Sequence, residues 1–227
     1  MIPGLSSVIA GIGGGFRFIG ISTAKGTSGV CSLPVGCLPG DIAVFFDGAF
    51  DGGGGTISSA IPAGWTTITA HFVDYGSDST RANTSRKVLT AGDISAGSVT
   101  GLSTANTMNS SVKFLIVFRA ISGYSAISNN TWTSSSSTTR PGRSQDVVPG
   151  AEAQPIVVFG FLYSRYSNTT IASSNSYDAT YTMFDDIGGQ ISGGLLAYKI
   201  YNSGPVTHNL SSNDSDVMVT GYIRMIP

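Results

Sequence analysis

The chain has 227 residues, a net charge of −1 and 11% charged residues, against about 25% in an ordinary soluble domain. There is no basic excess to neutralise phosphates, which argues against nucleic-acid binding, and no apolar run approaches the ~18 residues of a membrane-spanning helix. Thirty glycines and a single glutamate, Glu152, leave little material for solvent-exposed helices and favour strands joined by turns.

Residues 1–13 form a glycine-rich apolar arm carrying Ile2, Leu5, Val8, Ile9 and Ile12 without a charge. Each glycine costs up to about 1 kcal/mol in a helix, and an apolar stripe left bare in water is unfavourable. The arm is therefore expected to be ordered by a partner: a sister subunit or the surface to which the protein attaches. No basic residue precedes Arg17, so the start does not read as a signal peptide. The chain is expected to be made and used in the cytosol of its maker, or to leave by lysis. Gly11-Ile12-Gly13-Gly14-Gly15 lacks the lysine and the strand–helix context of a phosphate loop.

Strands follow in series: Phe16–Thr23, Gly29–Leu33, Ile42–Asp47, Trp65–Val73, Ser85–Thr90, Ser98–Leu102 and Val112–Ile121, separated by Gly, Asp and Asn clusters. Cys31 and Cys37 flank a turn sequence and are candidates for a local disulfide, or else two small buried apolar residues. Two cysteines without histidine neighbours do not make a zinc site. Asp47, Asp51 and Gly52–Gly55 offer clustered oxygens but not the alternating ligands of a calcium loop. Trp65, after Pro62-Ala63-Gly64, is a candidate sugar-stacking aromatic or a plug at a strand start. His71 lies within a strand pattern with no nucleophile elbow anywhere in the chain.

The series then begins again: Tyr124–Ser128, Thr131–Thr138, Ile156–Tyr163, Ala179–Phe184, Gly194–Tyr201, Val206–Leu210 and Val217–Met225. Trp132 is the second candidate for sugar stacking. Asp185 and Asp186, with Asp178, are the nearest thing to a paired-carboxylate hydrolase site. Adjacent strand residues face opposite ways, so the pair reads as part of the turn before Gly188-Gly189. His208 sits at a strand end. No catalytic residue, cofactor site or metal site is expected, and the chain does not read as an enzyme.

Gly40-Asp41-Ile42-Ala43-Val44-Phe45 aligns with Gln154-Pro155-Ile156-Val157-Val158-Phe159, and Thr56-Ile57-Ser58-Ser59 with Thr170-Ile171-Ala172-Ser173 at the same offset. Gly97-Ser98-Val99-Thr100 matches Gly204-Pro205-Val206-Thr207, and Phe118-Arg119-Ala120-Ile121 matches Ile223-Arg224-Met225-Ile226. Collinear matches of this kind indicate an internal duplication. The expected fold is all-β: two antiparallel β-sandwich repeats, jelly-roll-like or immunoglobulin-like, over residues 14–121 and 122–227, tandem or interleaved and packed together. The unbroken apolar runs at Phe114–Phe118 and Ile156–Phe161 suit central strands covered on both faces.

Phe18-Ile19-Gly20-Ile21-Ser22-Thr23 through Ser32-Leu33-Pro34 to Pro39-Gly40-Asp41-Ile42-Ala43-Val44-Phe45-Phe46-Asp47, with Pro62-Ala63-Gly64-Trp65-Thr66, Arg86-Lys87-Val88-Leu89-Thr90, Ala197-Tyr198-Lys199-Ile200-Tyr201-Asn202-Ser203 and Thr220-Gly221-Tyr222-Ile223-Arg224, resembles a family of small structural proteins of tailed bacteriophages and prophages. The resemblance runs from about residue 16 to the end. It implies a non-catalytic virion component, located in the virion: a capsid decoration (cement) protein on the outer capsid surface, or a tail, neck or fibre-tip component touching host sugars. The implied partners are the major capsid protein or tail proteins and further copies of the chain. A free carbohydrate-binding module is the reading from another class.

Overall fold

A computed structural model describes residues 15–26, 30–51, 61–75, 78–100, 110–120, 126–134, 144–147, 156–164, 171–173, 177–187, 190–201, 206–212 and 218–226. The protein is an all-β, antiparallel structure. Its strands are β1 (Phe16–Lys25), β2 (Val30–Ser32), β3 (Ile42–Asp51), β4 (Thr66–Tyr75), β5 (Asp78–Val88), β6 (Ser98–Thr100), β7 (Ser110–Ala120), β8 (Ala126–Ser134), β9 (Ser144–Val147), β10 (Ile156–Ser164), β11 (Ile171–Ser173), β12 (Ala179–Ile187), β13 (Gln190–Tyr201), β14 (Val206–Ser212) and β15 (Met218–Ile226). The arm, residues 1–13 with Ile2, Leu5, Val8, Ile9 and Ile12, lies outside the described residues, as do Gly52–Gly55 and the Thr56–Ser59 match.

Two five-stranded sheets carry the architecture, in the orders β1-β7-β3-β5-β4 and β12-β13-β10-β15-β8. Read from β8, the second sheet repeats the first: β8, β15, β10, β13 and β12 occupy the places of β1, β7, β3, β5 and β4. The two sheets face each other across one core of Ile42, Val44, Phe46, Phe114, Ile116 and Phe118 from the first, and Val157, Phe159, Phe161, Tyr163, Leu196 and Tyr198 from the second. Phe46 touches both Phe159 and Phe161 at ring-centroid distances of 5.9 and 5.7 Å, and Phe118 meets Phe159 edge-on at 5.5 Å. Each such ring contributes roughly 1.5–3 kcal/mol by burial.

The outer face of the first sheet is also covered. Ala43, Phe45, Leu115 and Val117 pack under Cys31, Cys37, Leu89 and Val99, with Trp65 and Ile94 beside them. Consecutive residues of β3 and β7 therefore enter different cores, which is why Phe114–Phe118 shows no alternation. The β2–β6 pair lies over this face, and the second half has a separate small sheet in the order β11-β14-β9.

The local elements depart from expectation at several places, the short strands β9 and β11 among them. Ser85–Thr90 is the end of a longer strand, β5, hairpinned to β4 through Tyr75 and Asp78. Residues Ala91–Ala96 form a helix, α1, where none is expected: Thr90 caps it by accepting from the Asp93 amide, Asp93 returns a bond to the Thr90 amide, and Gly97 closes it at φ 66°. One strand, β8, replaces the two expected at Tyr124–Ser128 and Thr131–Thr138.

Candidate functional site

Two groups of polar side chains among the described residues brace the fold. At one end of the sheets Lys113, in β7, stands opposite Asp47 of β3. Both are buried, at 0% and 3% exposure, with Nζ 3.7 Å from Oδ1. The ammonium donates to the Gly26 carbonyl at 2.8 Å and to Ser111 Oγ at 2.5 Å. A buried charge needs such satisfaction, because desolvation otherwise costs several kcal/mol.

Asp185 completes this end from the other sheet. It sits in β12, not in a turn, and is buried. Its Oδ2 accepts from the amides of Gly26 at 3.1 Å and Ser111 at 3.0 Å. The adjacent Asp186 pairs with Ile191 through the backbone; its side chain lies outside the described residues. Asp178 serves a different task, accepting from the Ile200 amide at 2.8 Å.

The second place is the loop from Leu33 to Asp41. Asp41, 1% exposed, receives two guanidinium bonds from Arg119 at 2.7 and 2.9 Å and one from the Leu38 amide at 2.8 Å. Arg119 also reaches the Gly36 carbonyl at 3.1 Å. Gly20 sits at a register shift in β1, and a β-carbon there would lie 2.6 Å from Pro34 Cβ. The loop is thus seated on the sheet from below and pinned from the side. It holds Val35 at 98% and Leu38 at 52% exposure.

Cys31 and Cys37 are both free thiols, so the disulfide weighed from the sequence is not formed. Both are buried in the outer core instead. Burial pushes the Cys31 thiol up to about 12, the Lys113 charge opposing it, and burial likewise raises Cys37. Neither supplies a thiolate at neutral pH.

Trp65 is half-buried and packs on Phe45 at 6.0 Å. It covers the sheet on the side of the outer core. Trp132 pairs with Thr220 through the backbone; its side chain lies outside the described residues. The same holds for His71, opposite Ala82 in β4, and His208, opposite Gln145 in β14. Among the described residues no group of three or more His, Cys, Asp or Glu is placed to hold a metal ion, and no helix is long and apolar enough to cross a membrane.

The chain matches no family model, no curated protein and no solved structure.

Proposed function

We propose that the protein is a non-catalytic structural component of a tailed-bacteriophage virion, acting as a decoration protein on the outer capsid surface and built by internal duplication. In this reading each half is one β-sandwich unit, a five-stranded sheet with its own small sheet, and the units are joined back to back through the large sheets. The observation that carries it is the shared strand order of the two large sheets. Duplication of a whole layer makes a rigid body with broad faces, suited to binding a lattice rather than a small molecule.

The use of the charged groups supports a structural role. Lys113, Asp47, Asp185, Asp41 and Arg119 are each engaged with backbone groups or with one another inside the fold. The pinned loop offers Val35 and Leu38 as a preformed apolar contact, which lowers the ordering cost of association.

Copy number in purified particles tests the reading. A stoichiometry that follows the capsid protein supports decoration. A few copies at one vertex assign the protein to the tail or neck. Absence from particles, together with glycan binding that Trp132→Ala abolishes, overturns the virion reading in favour of a carbohydrate-binding module.

A further inference from the structure

Two buried charges of the first sheet stand where a bond between them would remove both from the interior. Lys113 and Asp47 are directly opposite each other on β7 and β3. Two residues along each strand, and so on the same face, Phe45 and Leu115 enter the outer core. Lys113 is 0% and Asp47 3% exposed, and Asn83, opposite Asp47 on β5, is buried as well. Lys113 Nζ lies 3.7 Å from Asp47 Oδ1, beyond hydrogen-bond length. A buried ion pair offsets its desolvation only when its geometry is close and hydrogen-bonded, and these two atoms touch without meeting that condition.

The surroundings prepare the amine for another use. It donates to the Gly26 carbonyl at 2.8 Å and to Ser111 Oγ at 2.5 Å, and Ser111 donates in turn to the same carbonyl at 2.8 Å. These acceptors take two of the three ammonium protons and leave the third for Asp47. Once that proton moves, the interior holds an amine and a carboxylic acid, and burial favours this neutral pair over two charges. The same two forms are the ones that condense. Asp185, at the same end, is committed to the Gly26 and Ser111 amides. Directly opposite residues hold their β-carbons about 4.5–5.5 Å apart, a gap that a lysine stem and an aspartate carbonyl bridge without displacing either strand.

We propose that Lys113 and Asp47 join as an intramolecular isopeptide bond between β7 and β3. The Nζ lone pair attacks Cγ of Asp47 and a C–N bond forms. The bond from Cγ to one carboxyl oxygen breaks, and that oxygen departs as water with two of the three original ammonium protons. The third proton stays on nitrogen as the amide N–H. An ammonium and a carboxylate thus give one amide and one water, with no oxidant, reductant or activating group consumed. Bulk water would oppose the condensation, but this pair is shut away from it and held in contact, and groups so fixed reach effective concentrations of about 10⁵–10⁸ M. The closure happens once per molecule and leaves no turnover. In sequence β3 and β7 are separated by β4, β5, α1 and β6, so the bond encloses much of the first half in one covalent loop and restricts its unfolded states. The inference goes beyond the virion reading and does not depend on it.

Intact mass of the full chain, taken in denaturant after storage in the folded state, tests the bond. The mass is expected to fall short of the sequence mass by one water. Trypsin should fail to cut after Lys113 and should release a branched peptide that joins the segments carrying Asp47 and Lys113. Lys113→Arg, which keeps a cation but lacks the amine, should show its full sequence mass. A full mass in the parent protein overturns the proposal, and that measurement needs no variant to fold. A missing water without a joined peptide overturns it too, because Asp47-Gly48 then has closed on its own backbone as a succinimide. A missing ammonia with Lys113 joined to Asn83 removes Asp47 as the acyl partner, and a water deficit that persists in Lys113→Arg removes Lys113. Copy number in particles is unaffected by any of these results, so the virion reading stands or falls separately.

Discussion

The ring of Tyr163, in the second sheet, lies against the backbone of Gly48 in the first, so closely that a β-carbon on Gly48 would fall 1.8 Å from ring Cδ1. Gly194, the cross-strand partner of Tyr163, is confined in turn by Val112 and Phe114. Bare backbone on two facing strands makes the slot in which the largest fully buried side chain among the described residues sits.

Gly48→Ala is accordingly expected to destabilise the protein by about 2 kcal/mol, the scale of overpacking in a closed core. Urea unfolding measures it. Combined with Tyr163→Leu the cost should shrink, since the two changes share one space. Strictly additive losses would show that the ring and the glycine do not compete.

Tyr163→Phe probes a different property of the same ring. Its hydroxyl is buried with no hydrogen-bond partner among the described residues, and burial, with Asp47 and Cys31 nearby, holds it neutral far above the usual phenol range. Removing an unsatisfied polar atom should be neutral or stabilising by up to about 1 kcal/mol. A loss of 1 kcal/mol or more in thermal or urea unfolding would reveal a partner for that oxygen.

Asp185→Ala should cost about 2 kcal/mol, because it strips the acceptor from two amides of the opposite sheet. Asp185→Asn, which keeps one acceptor oxygen, should recover part of this. Equal stability of Asp185→Ala and the parent protein would remove Asp185 from its place as an inter-sheet brace.

Thiol chemistry should report the outer core. With Cys31 raised to about 12 and both cysteines buried, a disulfide-exchange reagent at pH 8 should modify neither at an appreciable rate in the native state and both after denaturation. Rapid modification of Cys31 in folded protein would contradict its burial.

The helix cap predicts an acid limb. Burial pushes Asp93 up, but hydrogen bonds from Lys87 and Thr90 outweigh it, and the net result lies below the usual carboxylate range. A folded-state value below the unfolded one means that its stabilisation is complete above the unfolded value and is lost as pH falls through the folded one. Asp93→Asn should therefore lower Tm at pH 7, by an amount of order 1 kcal/mol or less in stability, and should matter less at pH 2. A deficit that is constant with pH would point to packing rather than charge.

Much of the frame is legible in the residues. The run at Phe114–Phe118 announces a strand with two covered faces; of the run at Ile156–Phe161, Val157, Phe159 and Phe161 enter the shared core, and the two large sheets have one strand order beside the matches between halves. The phase of those matches is a different matter. At offset 114, Phe45 aligns with Phe159, yet Phe45 enters the outer core and Phe159 the shared one. In a strand a slip of one residue exchanges the faces, and an unbroken apolar run contains no alternation by which to detect it. The helix at Ala91–Ala96 has its signature in Thr90-x-x-Asp93 and Gly97, although its six residues carry too little periodicity to stand out among strands. Asp185 and Gly48 are not readable in this way. One acts on amides remote in sequence, the other makes room for a ring from another sheet, and neither relation leaves a local pattern.

Because β3 and β7 line both cores, the first large sheet is an inner layer of the molecule, with a separate covering on each face. Release of the β2–β6 pair, α1 and the pinned loop would bare Phe45 and Leu115 while the Phe46–Phe159 side stays closed. Hydrogen exchange would then grade the molecule by depth, with the outer cover opening at lower free energy than the paired sheets.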